Sequence, residues 1–151
     1  MKKRIFSALL ACLLLVCALS VQAFAQQDKV IYYDDGSYTV ITVHADTVLT
    51  RATNYKSGNA DYRHYTSGNT LQWKATLNAT FTYNGSSATC TSVNSLNVTI
   101  YNSDWSVGSK STSKSGNTAY GYLTMNRAII GGTQGVPVTL TLSCDKNGNL
   151  S

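Results

Sequence analysis

The chain has no glutamate and a single proline, Pro137. Its seven acidic residues are all aspartates, which favour turns over helix interiors. Beyond residue 25 no stretch carries a helical period and no long apolar run occurs. A helical bundle and an alternating α/β fold are therefore excluded, as is a transmembrane helix in that part. Cysteine is equally sparse. Cys12 and Cys17 fall in the apolar N-terminal stretch, leaving Cys90 and Cys144, whose separation matches no zinc-ligand spacing. There are two histidines, His44 and His64, and neither stands in a nucleophile–base or metal-ligand pattern. Both read as exposed strand residues. No catalytic residue, metal or cofactor is expected.

The N-terminus is a leader. Met1-Lys2-Lys3-Arg4 is basic, Ile5 to Val21 is apolar apart from Ser7 and Ser20, and Ala23-Phe24-Ala25 supplies small residues for cleavage. That order describes a secretory signal over 1–25, with a soluble extracellular or loosely surface-held domain over 26–151. The rival readings are an uncleaved anchor and a lipoprotein modified at Cys12. The latter lacks a polar tether after the cysteine. No wall-anchoring tail is expected at Asn149-Leu150-Ser151. Loss of Lys2, Lys3 and Arg4 lowers the net charge from +5 to +2. No basic patch remains, so nucleic acid is not an expected partner.

What is present is period two. Leu71, Trp73, Ala75, Leu77, Ala79, Phe81 and Tyr83 alternate with polar residues. Val136, Val138, Leu140, Leu142 and Cys144 repeat the pattern, Leu96, Val98 and Ile100 shorten it, and 119–125 carry it again. Such alternation predicts strands with one buried and one wet face. Trp73, Phe81, Leu140 and Leu142 are the expected core. Turn signals punctuate the runs: Asp35-Gly36, Asn84-Gly85, Asn147-Gly148, and Ser-Gly-Asn at 57–59, 67–69 and 115–117. Gly131-Gly132 and Gly135 predict a looser loop, and Ser109 to Ser115 a strand end running into a loop. A two-residue turn at Asp35-Gly36 would make an N-terminal hairpin over 30–43, pairing Tyr33 with Tyr38 and Ile31 with Val40. Both its faces would be largely apolar, so it is either buried in the domain or docked on a partner, burial being the plainer reading.

The fold expected is an all-β antiparallel sandwich with one disulfide. Cys90 and Cys144 are an even pair in an oxidising compartment, 54 residues apart, for which loop-closure arguments give about 4 kcal/mol. The alternative is two free thiols. The order Cys90, Trp105, Cys144 is that of an immunoglobulin domain, but Leu142 stands where the tyrosine corner needs Tyr. An immunoglobulin-like sandwich would thus be of non-standard topology. Trp73, Phe81-Thr82-Tyr83-Asn84-Gly85, Ala88-Thr89-Cys90-Thr91, Trp105, Ser115-Gly116-Asn117-Thr118-Ala119 and Leu140-Thr141-Leu142-Ser143-Cys144-Asp145 with Gly148 carry a resemblance over roughly 70–151. That stretch resembles small secreted β-sandwich proteins of Gram-positive gut bacteria. The resemblance implies a shared fold and no activity.

Ten tyrosines and two tryptophans among Ser, Thr, Asn and Gly suit a recognition surface. Tyrosines can equally cover the sheets of a chain with three phenylalanines. The expected binding strand is Tyr62-Arg63-His64-Tyr65, whose residues divide between two faces, Tyr62 with His64 and Arg63 with Tyr65. The plain alternative is an ordinary edge strand. Asp145-Lys146-Asn147-Gly148-Asn149 resembles a calcium loop but misplaces its glycine and lacks the closing Glu, so it reads as a turn. The function expected is a non-catalytic extracellular module binding an unidentified glycan or protein of the cell envelope or host. The alternatives are a structural protein self-associating through strand edges, and a small secreted hydrolase. The oligomeric state is not readable.

Overall fold

A computed structural model describes residues 28–46 and 54–151. The expected leader over 1–25 lies outside them. Eight strands follow one another: β1 (Lys29–Tyr32), β2 (Tyr38–Ala45), β3 (Tyr55–Tyr65), β4 (Leu71–Tyr83), β5 (Ala88–Ile100), β6 (Trp105–Ser115), β7 (Thr118–Ile129) and β8 (Gly132–Ser143). They form two antiparallel sheets, a five-stranded one in the order β1-β2-β3-β4-β5 and a three-stranded one in the order β6-β7-β8. Every hydrogen-bonded neighbour is the next strand in sequence. An immunoglobulin sandwich instead interleaves its strands by Greek-key connections, so the order here is a pair of meanders.

The alternation of β4 sets the core. Trp73, Ala75, Leu77, Ala79 and Phe81 are buried and meet Ala119, Leu123 and Met125 of β7 and Leu140 and Leu142 of β8. The other face of the large sheet is a polar ladder. Ser57 Oγ meets Thr80 Oγ1 at 3.0 Å, and Asn78 Nδ2 donates to Ser95 Oγ at 2.9 Å.

The first hairpin departs from the expected register. Tyr32 pairs with Tyr38, Ile31 with Thr39 and Val30 with Val40. The loop has three residues, not two: the Tyr33 amide donates to the Ser37 carbonyl, and Gly36 takes a left-handed φ of 78°. A type I turn closed by a left-handed glycine is the usual three-residue hairpin connection. The expected burial holds for β2, where Thr39, Ile41 and Thr42 are buried, but not for β1, all four residues of which are exposed.

Three further expectations need correction. Ser57-Gly58-Asn59 lies inside β3 and is no turn. Gly58 serves close approach there, since a Cβ would fall 2.3 Å from the His44 carbonyl oxygen and 2.4 Å from Leu150 Cδ1. Ser109 to Ser115 is strand, not loop; β6 is exposed from Ser106 onward and owes its conformation to pairing with β7. Gly132 and Gly135 belong to β8, and the turn before them is tight, with Ile129 paired to Gly132.

The edges of β5 and β8 are met by side chains from the facing sheet. Lys110 Nζ donates to the Leu96 carbonyl at 3.3 Å and Lys114 Nζ to the Thr91 carbonyl, spanning the gap between β5 and β6. On the other side the Thr141 amide of β8 donates to the Tyr62 hydroxyl. Cys90 and Cys144 are both buried and stand as unbonded thiols, so the structure contains no bond between them.

Candidate functional site

The connections after β1, β3, β5 and β7 gather at one end of the two sheets. There a cleft of about 180 Å³ is lined by Asp35, Ser37, His64, Thr66, Ser67, Gln72, Trp105 and Arg127. Each side chain is placed by the local fold. Asp35 sits in the first hairpin loop, where its Oδ1 accepts from the Ser37 amide at 3.0 Å and the Ser37 hydroxyl at 2.5 Å. Those bonds hold its carboxyl below the usual aspartate range. Arg127, near the end of β7, reaches across to Asp35 Oδ2 at 3.5 Å and lies 5.8 Å from the centre of the Trp105 ring.

His64 is one wall. It is buried, against the expected exposure. Its ring stacks on Trp73 with centroids 5.2 Å apart and meets the edges of Trp105 and Tyr33 at 5.4 and 5.7 Å. Nδ1 lies 3.2 Å from Thr39 Oγ1, which in turn meets the Tyr33 hydroxyl at 3.2 Å. Burial pushes the imidazole pKa down, and the nearby Asp35 offsets part of that. A lowered histidine pKa means a neutral ring near pH 7. Gln72 is committed to positioning: it accepts from Asn102 Nδ2 at 2.7 Å and donates to the Thr70 carbonyl at 2.9 Å, tying two loops together.

Chemically the cleft offers an aromatic ring, a guanidinium, a carboxylate, hydroxyls and a neutral imidazole. Asp35 is the one carboxylate in its lining. A two-carboxylate glycosidase centre would need a second.

The four residues of the expected binding strand do not share one site. Tyr62 and His64 point inward, as buried residues, and Arg63 and Tyr65 lie on the opposite face. Tyr62 is in the core and engages β8. His64 alone reaches the cleft. Tyr65 stacks on Tyr38 at 5.1 Å, and Tyr38 lies 5.8 Å from Tyr32, giving a row of three tyrosines across three strands. Arg63 joins a closed network around the buried Asp61, at 3.2 Å, with Lys74 at 2.8 Å, His44 at 3.5 Å and Thr76 Oγ1 at 2.7 Å. Burial pushes the Asp61 pKa up, but the bonds from Lys74 and Thr76 and the charges of Lys74 and Arg63 outweigh it and hold the carboxyl low. This carboxylate is already satisfied, and the network reads as structural.

Sequence reasoning missed Trp105, Arg127 and Asp35 as cleft residues. Asp35 carried only a turn signal, and Arg127 carried none. The Asp145 loop is a turn, as expected: its carboxylate accepts from the amides of Asn147 and Asn149 and from Asn149 Nδ2, each at 2.8 Å.

No protein-family model matches the chain, and no curated protein matches it. Among solved structures it is similar to a hypothetical protein of Listeria monocytogenes EGD-e, at 17% identity and a TM-score of 0.48, over 87% of this chain and 96% of that one.

Proposed function

We propose that the domain is a non-catalytic extracellular recognition module whose cleft takes a small polyhydroxyl unit, such as a terminal sugar of a glycan. The observation that supports this reading is the convergence of Trp105, Arg127, Asp35 and His64 on one opening. An aromatic ring beside planar hydrogen-bonding groups suits a ligand with one apolar face and several hydroxyls. The cleft is smaller than the roughly 300–1,000 Å³ that drug-sized ligands occupy, which favours one small polar unit over a long segment. Arg127 and Asp35 are the groups to vary, because their side chains are about half exposed, at 47% and 55%. In a glycan-array screen followed by calorimetry, Arg127→Ala and Asp35→Asn should each weaken the ligand found by about tenfold or more, as for a lost charge-assisted bond. Unchanged affinity in both folded variants removes the cleft as the site.

A second reading is self-association through strand edges, favoured by the exposure of β1 with Val30, Ile31 and Tyr32. Concentration-dependent growth in light scattering, abolished by Ile31→Lys, would select it.

A further inference from the structure

We infer that Cys90 and Cys144 are a disulfide-forming pair whose bond is made while the chain folds and becomes inaccessible once the two sheets have closed. They are the only cysteines after residue 25. Both side chains belong to one core cluster, at 2% and 0% exposure. Their backbones meet at one turn: the Cys90 amide donates to the Gly116 carbonyl at 2.8 Å, and the Cys144 amide to the Asn117 carbonyl at 3.0 Å. Asn117 Nδ2 returns to the Cys144 carbonyl at 2.7 Å.

The residues after Cys144 are laid against the same end of the large sheet. The Gly85 amide donates to the Lys146 carbonyl at 2.9 Å, Gly148 packs on the Tyr83 ring, and Leu150 packs on Gly58. Cys90 stands opposite Phe81 on the neighbouring strand. Two independent sets of contacts, through the β6–β7 turn and through the C-terminal loop, therefore bring Cys144 to the region of Cys90. The bond would tie β5 of the large sheet to the residue that follows β8 of the small one.

The chemistry is a two-electron exchange. A thiolate of one cysteine attacks a disulfide of an extracytoplasmic thiol oxidase, or of a small disulfide such as oxidised glutathione. The second thiolate then displaces that carrier; two protons leave, and the carrier departs as two thiols. The attacking sulfur must be reachable and deprotonated. In the closed fold neither condition holds, since the thiols are buried and burial pushes both pKa values up. Oxidation therefore belongs to the open chain, and reduction to the unfolded one.

The test uses the chain exported into an oxidising compartment. Intact mass under non-reducing conditions should be about two daltons below the dithiol mass, and the bond should resist dithiothreitol until denaturant is added. The converse arm starts from protein refolded under reducing conditions. Its thiols should react with oxidised glutathione at least about a hundredfold faster in denaturant than in buffer, as for sites opened only by unfolding. Two free thiols in the exported protein would overturn the pairing. A bond that forms or reduces rapidly in the native state would overturn the burial of the step. Neither arm requires a cysteine variant to fold.

Discussion

The phenol of Tyr62 on β3 accepts the backbone amide of Thr141 on β8 at 3.0 Å, joining the two sheets through a single side-chain oxygen. Thr141 lies on the edge strand of the small sheet, so this amide has no neighbouring strand on that side. Tyr62→Phe keeps the ring and removes the acceptor. Leaving a partly buried donor unpaired costs about 1–3 kcal/mol. Chemical denaturation should show a loss in that range with an unchanged m-value. A variant as stable as the parent would mean that water replaces the hydroxyl without penalty.

Trp73 is 2% exposed, stacked on His64 and edge-on to Trp105 at 6.2 Å. Trp73→Ala removes the largest buried side chain of β4 and should cost about 3–5 kcal/mol. The same variant should lose the near-ultraviolet dichroism that coupled aromatic rings produce. A folded Trp73→Ala protein of parental stability would remove this residue from the core.

Stability should fall as the solution is acidified from neutral. The folded pKa of His64 lies below its ordinary 6.5, mainly through burial, with Asp35 opposing and Arg127 reinforcing the shift. Between those two pH values the unfolded chain holds a proton that the folded one does not. The contribution is therefore fully present above pH 6.5 and is lost as pH falls toward the folded pKa. Asp61 adds a second, more acidic phase. Its folded pKa is below 3.8, so its contribution is complete above that value and is lost on further acidification. Denaturant midpoints across this range should decline in two steps, and His64→Gln should remove the upper one alone. A parental slope in His64→Gln would assign the upper step elsewhere.

Lys110 and Lys114 cover carbonyls of β5 that no strand satisfies. Exposed lysine–carbonyl contacts contribute little to stability, so the double change to alanine should cost no more than about 1 kcal/mol. It should nevertheless expose two sheet edges to pairing with other molecules. Light scattering is expected to report larger species for the double variant at concentrations where the parent is unchanged. Equal behaviour would mean that the lysines do not guard the edge.

The strands with strict alternation were the legible part of this fold. Leu71 to Tyr83 alternates without interruption, because that strand has one face on the core and one on a polar ladder. β6 was hidden for the opposite reason: after Trp105 it buries nothing, so neither face leaves an apolar mark. The register of the first hairpin turned on whether Asp35-Gly36 closes a two- or three-residue loop, a choice set by the backbone of Asp35, which does not take the left-handed φ that a two-residue type I′ turn needs at both central positions. The cleft was illegible because its members are far apart in the chain. Trp105 begins one strand, Arg127 lies near the end of the next, and Asp35 is in a loop of the other sheet. His64 was picked out from its aromatic neighbourhood, which found the residue but not its inward direction.

The sequential strand order bears on how the molecule comes into being. Residues 29–100 contain one whole sheet and residues 105–143 the other, so each can zip up hairpin by hairpin without waiting for distant chain. Only the docking of the two halves brings together residues remote in sequence. Nearby pairings carry a small entropic toll, and folding rates rise as the average loop to be closed shrinks. In a chain that folds from its N-terminus, the five-stranded half would be complete before the second half is available. A cut between Tyr101 and Asp104 leaves both sheets continuous, so two separately made fragments should regain the whole when mixed.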